Sequence, residues 1–174
     1  IDSLYSTVYE LNKFLIDYEK SIKQFIGHGD LCFNNILVDQ ISGCIKLIDP
    51  KSYFDENTRI NGLIDPNYDL AKLHHSYKFL YDSIVNNLFS INIQNNNLFL
   101  QIYAPSEYEL VNRFFKEILI DNNIEENLLR VLTASLFISM LPLHIDNQDR
   151  MISFAILGTI AFKNLDLKKL IVQI

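Results

Sequence analysis

The 174-residue sequence predicts a mainly α fold with small β-hairpins, an α+β class, and three observations carry that expectation. Five separate stretches carry apolar residues at helical spacing. Two short apolar runs flank a turn-forming segment from Asp39 to Gly43. Apolar residues make up 49% of the chain and no charge-rich tract interrupts them, which suits one globular domain and excludes a wholly disordered chain.

In order along the chain, Leu4, Val8, Leu11, Leu15, Tyr18, Ile22 and Phe25 alternate in steps of four and three, the stripe of a long first helix that Asp2 or Ser3 would cap. The stripe suits a core-facing helix, with a coiled-coil seam as the other reading. Gly27-His28-Gly29 ends it. Ile36-Leu37-Val38 and Cys44 to Ile48 then read as two strands of a hairpin, and Lys51 to Leu63 as a loop. Asp65-Pro66 has the cap and first-position signature of a helix start, and Leu70, Leu73, Tyr77, Leu80 and Ile84 continue one apolar face to about Asn86. Ser90 to Tyr103, with Asn95-Asn96-Asn97 at its middle, reads as a second hairpin. Helices follow over Ser106 to Leu119, Ile124 to Met140 and about Asn147 to Phe162.

A net charge of −6 argues against a nucleic-acid partner, whose phosphates need clustered Lys and Arg. The longest apolar stretch, Leu129 to Leu143, is too short and too interrupted for a membrane span. Cys32 and Cys44 lack metal-ligand spacing and are too few for a disulfide scaffold, so a cytoplasmic setting is expected. No basic segment precedes an apolar run, so neither a signal peptide nor a targeting sequence is expected.

Chemistry concentrates in His28-Gly29-Asp30-Leu31-Cys32-Phe33-Asn34-Asn35 and in Ile48-Asp49-Pro50-Lys51. A hairpin turning near Ile41 and Ser42 sets Asn35 opposite about Ile48, so Asn35 and Asp49 meet at its open end and Asp30 lies in the loop that feeds it. A carboxylate and an amide oxygen are hard ligands suited to Mg²⁺, and a second carboxylate kept off the metal can accept a hydroxyl proton. That set suits phosphoryl transfer, where the protein mostly positions the reactants and spreads charge.

HGDLCFNNIL followed by LIDPK is similar to the catalytic and metal-binding loops of the aminoglycoside phosphotransferase and choline kinase family, small-molecule kinases with a protein-kinase-like fold. His28, Asp30 and Asn35 match the kinase pattern of HRD, four residues, then Asn, with Gly29 in place of Arg. The resemblance covers roughly Phe25 to Leu73. It implies that Asp30 is the catalytic base, that Asn35 and Asp49 hold Mg²⁺ and through it the nucleotide, ATP, and that His28 is a structural member of the loop. Asp69, in DPNYDLA, matches an aspartate that braces the loop through backbone hydrogen bonds. Cys32-Phe33 and Lys51 further resemble a branch found with bacterial capsule and surface-polysaccharide genes.

The implied fold is the C-terminal lobe of a kinase. Only 27 residues precede His28, and they read as one helix, so the nucleotide-clamping N-terminal lobe is expected to be absent from this chain, which reads better as the catalytic half of a larger protein than as a natural short relative that no longer binds nucleotide tightly. The expected partners are a nucleotide, a small-molecule hydroxyl acceptor seated among the helices from Ser106 to Phe162, and the missing lobe. Two other readings stay open: a kinase-like binding or scaffold module, and a metal-dependent hydrolase using Asp30 and Asp49.

Single residues have plainer readings. Asp65 reads as a helix cap, and His74, His75 and His144 as surface or packing residues, since none has metal spacing. Cys32 has no activating base in view. Glu107, Glu109, Asp146 and Asp149 suit either a cationic acceptor or a solvated face.

Overall fold

The structure, a computed structural model, describes residues 2–23, 25–51, 63–95 and 97–173. It is a mixed α+β fold. In chain order it runs α1 (Asp2–Glu19), β1 (Phe25–Ile26), β2 (Ile36–Val38), β3 (Ile45–Leu47), β4 (Leu63–Ile64), α2 (Pro66–Tyr77), α3 (Tyr81–Val85), β5 (Phe89–Gln94), β6 (Asn97–Ala104), α4 (Tyr108–Asp121), α5 (Glu126–Ser139), α6 (Gln148–Lys163) and β7 (Ile171–Gln173). The expected loop lies, from 52 to 62, outside the described residues, as do the side chains of Asp2 and Ser3.

The first helix is shorter than its stripe. The Ser21 amide and hydroxyl both donate to the Tyr18 carbonyl at 2.8 Å, taking the acceptor that Ile22 would need to continue the helix. Phe25 and Ile26 instead form β1, antiparallel to β4. Leu11 is buried and Leu15 partly so, with α1 packed on α5 and α6; this is the core-facing reading, although Val8 is exposed and Thr7 takes the buried place beside it.

The hairpin of β2 and β3 forms in the expected register, with Ile36 opposite Leu47 and Gly43 in the left-handed turn position at φ +69°. Asp65 caps α2 as read: its Oδ1 accepts from the Asn67 amide at 3.0 Å while its Oδ2 accepts from the Tyr18 hydroxyl at 2.6 Å. The second bond ties α1 to the start of α2. Burial, then the bond to Asp65, pushes the Tyr18 phenol up to about 12.

The single helix expected from Asp65 to Asn86 is two. Helix α2 stops at Tyr77 because α4 intercepts its last carbonyls: the Tyr108 hydroxyl donates to Lys78 O at 2.8 Å and Asn112 Nδ2 to Tyr77 O at 3.3 Å. Leu80 then turns through the left-handed region at φ +55° before α3 begins.

The expected second hairpin is β5 and β6, paired from Phe89 with Ile102 to Gln94 with Asn97. A parallel third strand, β7, joins β6 and has no counterpart in the sequence reading. Helices α5 and α6 pack on each other, and α5 on α2, around fully buried Phe137, Phe154, Leu129 and Leu157. Arg130 on α5 donates to the Ala161 and Phe162 carbonyls at 2.6 and 2.8 Å, placing a cation on the C-terminal end of α6.

His74 and His75 belong to that core, at 1% and 0% exposure. His74 Nδ1 meets Thr133 Oγ1 at 2.8 Å, and the His75 ring stacks on Tyr81 with centroids 4.1 Å apart. Burial first, then the charges of Lys78 and Arg130, pushes the His74 imidazole down to about 3, and burial likewise pushes His75 well down. The unfolded chain therefore takes up protons below about 6.5 that the folded chain refuses, so stability is full above that pH and falls as pH drops toward 3. Each buried imidazole contributes a slope of about 1.4 kcal/mol per pH unit in that window. Urea midpoints measured from pH 7 down to pH 4.5 should decline accordingly, and His75→Phe should make the decline shallower, by up to about 1.4 kcal/mol per pH unit.

Candidate functional site

Strand β1 delivers the chain to Gly27, where backbone and α2 meet closely. A Cβ at Gly27 would collide with the Ile64 side chain and lie 2.8 Å from Asp69 Oδ2. Gly29 follows in the left-handed region at φ +79°, open to glycine at little cost. The absent side chain at Gly27 lets Asp69 approach, and its two oxygens accept from the His28 amide at 2.6 Å and the Gly29 amide at 2.8 Å.

Asp69 is one of three residues of α2 aimed at this loop. Lys72 Nζ lies 2.9 Å from Asp30 Oδ1, and Ser76 Oγ accepts from the Phe33 amide at 3.3 Å. Positions 69, 72 and 76 share one helix face by their spacing. Asp82, on α3, continues the row with its Oδ1 accepting from the Asn34 amide at 3.2 Å.

Within the loop, the Asp30 carbonyl accepts from the Cys32 amide and from Asn35 Nδ2, both at 2.9 Å. The Asp30 amide points at His28 Nδ1 at 3.3 Å, which assigns the imidazole proton to Nε2, where it reaches the Ile48 carbonyl at 2.9 Å. His28 thus joins the loop to the end of β3. The Ile48 amide donates to the Asn35 carbonyl at 3.0 Å, which places Asn35 opposite Ile48 and next to Asp49 at the open end of the hairpin.

Asp49 itself is in the left-handed region at φ +54°, a conformation that aspartate tolerates better than most residues. Its Oδ2 meets Lys51 Nζ at 2.7 Å, and the pair is largely exposed. The bond to Asp49, then its charge, holds the Lys51 ammonium above its ordinary range, with Asp30 adding to the effect. Asp49 is joined to His28, Asp30, Asn35 and Asp69 through its neighbours, since the Lys51 amide donates to the His28 carbonyl at 2.9 Å.

The residues expected to hold Mg²⁺ fit a hard cation by donor chemistry. Asn35 spends its amide nitrogen on the Asp30 carbonyl, so the oxygen is its ligand end. Asp49 already carries a cationic group on one oxygen. Among the described residues no group of three or more His, Cys, Asp and Glu side chains converges on one point, so a cation here would rest on this amide and carboxylate, with waters or phosphates completing its shell.

Cys32 is buried, and burial first, then the charges of Asp30 and Asp82, pushes its thiol up, away from the thiolate that reactivity needs. Beside Phe33 a mostly apolar cleft of about 110 Å³ opens between α2, α3 and α4, walled by Tyr77, Leu80, Asp82, Tyr108 and Val111. Burial raises the Asp82 carboxyl above its usual range. Glu107, Glu109, Asp146 and Asp149 are exposed.

Lys72, Ser76 and Asp82 were not singled out by the sequence. The available signal was the spacing of Lys72 and Ser76 from Asp69, three and seven residues on, which repeats one face of a helix whose first member contacts the loop. Comparison of the chain with protein-family models, curated proteins and solved structures finds no match.

Asp69→Ala leaves the His28 and Gly29 amides without their carboxylate acceptor, at a cost of about 2–3 kcal/mol. Hydrogen exchange should show protection lost at those two amides while the α5 and α6 amides keep theirs.

Proposed function

We propose that this chain is the catalytic lobe of an ATP-dependent phosphotransferase that acts on a hydroxyl of a small molecule, a sugar or an amino alcohol. The observation that carries the reading is the state of Asp30: one oxygen is held by Lys72 in a loop whose flanking amides are fixed by Asp69, Ser76 and Asp82. A carboxylate so placed has its second oxygen available to orient a hydroxyl and take its proton. The resemblance of the HGDLCFNN and LIDPK segments to small-molecule kinases supports the same assignment, and their likeness to the capsule-associated branch favours a surface-sugar precursor as acceptor.

In this reading the acceptor oxygen forms its bond to the γ-phosphorus as the bond to the β–γ bridging oxygen breaks, and the hydroxyl proton passes to Asp30 Oδ2. Bound Mg²⁺ would draw charge off the phosphates. Asn35 and Asp49 would present an amide oxygen and a carboxylate for it, Lys51 holding only the Oδ2 of Asp49. The cleft beside Phe33 gives one wall of the acceptor site. Val38, Ile45 and Leu47 are exposed on one face of the β2–β3 hairpin, apolar positions suited to the lobe that would grip the nucleotide.

Incubating the full-length protein with Mg²⁺, ATP and a panel of sugars and amino alcohols tests the reading. Phosphorylated product that requires ATP is expected. Product formed without ATP would instead indicate the hydrolase, and no product at all would favour the scaffold. Asp30→Ala should lower turnover by about 10²-fold to 10⁴-fold while nucleotide affinity stays within about threefold.

A further inference from the structure

We infer that Lys72 is the positioning residue of Asp30, a cation supplied by α2 that selects which carboxylate oxygen meets the acceptor hydroxyl. The inference rests on the assignment of Asp30 as base. Among the described residues the other ion pairs are open to water: Lys20 with Asp17, Lys51 with Asp49 and Lys168 with Glu109 keep more than half of each side chain exposed. Lys72 and Asp30 keep 13% and 21%. Exposed pairs contribute little and hold no fixed geometry, whereas a pair withdrawn from water is an oriented one.

The surroundings make Lys72 the cation on Asp30. His28 turns an unprotonated Nδ1 toward the Asp30 amide, Lys51 is engaged by Asp49, and the buried His75 imidazole is kept neutral in part by the Lys72 charge itself. Cys32 and Tyr81, also near, are uncharged. Lys72 has little freedom to leave: its ammonium sits 5.8 Å from the centre of the Tyr68 ring, and its helix is pinned to the loop one turn earlier by Asp69 and one turn later by Ser76. With Oδ1 taken by Lys72, Oδ2 is the oxygen left to receive a proton.

A residue that orients a base alters the reacting geometry and leaves ground-state binding alone, so its removal lowers kcat more than it raises KM. In the full-length protein, Lys72→Met should lower kcat about 10²-fold with KM for ATP and for the acceptor within about threefold. Lys72→Arg should return kcat to within about tenfold of the parent, whereas Lys72→Gln, which keeps length and a donor but no charge, should not. An unchanged kcat in Lys72→Met, or a raised KM with kcat intact, overturns the inference. Should Lys72→Met fail to fold by circular dichroism, the Arg and Gln variants decide, and equal kcat in the two overturns it. Asp30→Ala run alongside separates the two levels: if it stays active the assignment of the base fails, and if it is inactive while Lys72→Met is fully active, Lys72 alone loses its role.

Discussion

The geometry of the site depends on one polar face of α2. Asp69, Lys72 and Ser76 meet, in that order, the amides of residues 28 and 29, the carboxylate of Asp30 and the amide of Phe33. A segment with no ladder of its own must find partners for its backbone donors, and here a rigid helix supplies them with a carboxylate, whose bonds to amides are stronger than those of a neutral acceptor. The opposite face of the same helix is what makes it rigid. Ala71, His74 and His75 are buried against α5, with Thr133 bonded to His74, so the position of the Asp30 carboxylate is set ultimately by packing between α2 and α5.

This arrangement explains why part of the site was legible in the sequence and part was not. The β2–β3 hairpin and the Asp65-Pro66 start are local decisions, made by turn residues and by a cap whose acceptor is two residues from its donor. They fix Asn35 opposite Ile48 and the phase of α2, which is why Asp69 faces the amides of residues 28 and 29. Lys72 carried no such mark, because a lone lysine in an amphipathic helix ordinarily points to water. Its role appears only once the loop lies across the helix. The end of α1 departs from the stripe for a related reason: Ile22 and Phe25 continue the apolar spacing, yet helices are ended by backbone hydrogen bonds, and Ser21 captures the Tyr18 carbonyl.

The approach of loop to helix also constrains residues that contribute no functional group. Gly27 gives Asp69 its access, since any side chain would meet Ile64 and the Asp69 carboxylate together. Gly29 accepts the left-handed turn that presents two successive amides to one carboxylate. The two glycines and Asp69 therefore act as a unit, and a change at Gly27 would be felt as loss of the bonds that Asp69 makes.

The break between α2 and α3 carries a backbone cost that its surroundings offset. Leu80 occupies the left-handed region, which costs an ordinary residue about 1 kcal/mol, and a continuous helix would avoid that cost. What offsets it comes from α4, where Tyr108 and Asn112 donate to the carbonyls at the end of α2, and from burial of Leu80 and Ile84. The turn redirects the chain so that Asp82 faces the loop and bonds Asn34, which an unbroken helix with its 3.6-residue period would not do from the face of Asp69, Lys72 and Ser76. The same turn opens the cleft beside Phe33. A single interception of helix carbonyls by α4 thus sets both the last clamp on the loop and the apolar wall next to it.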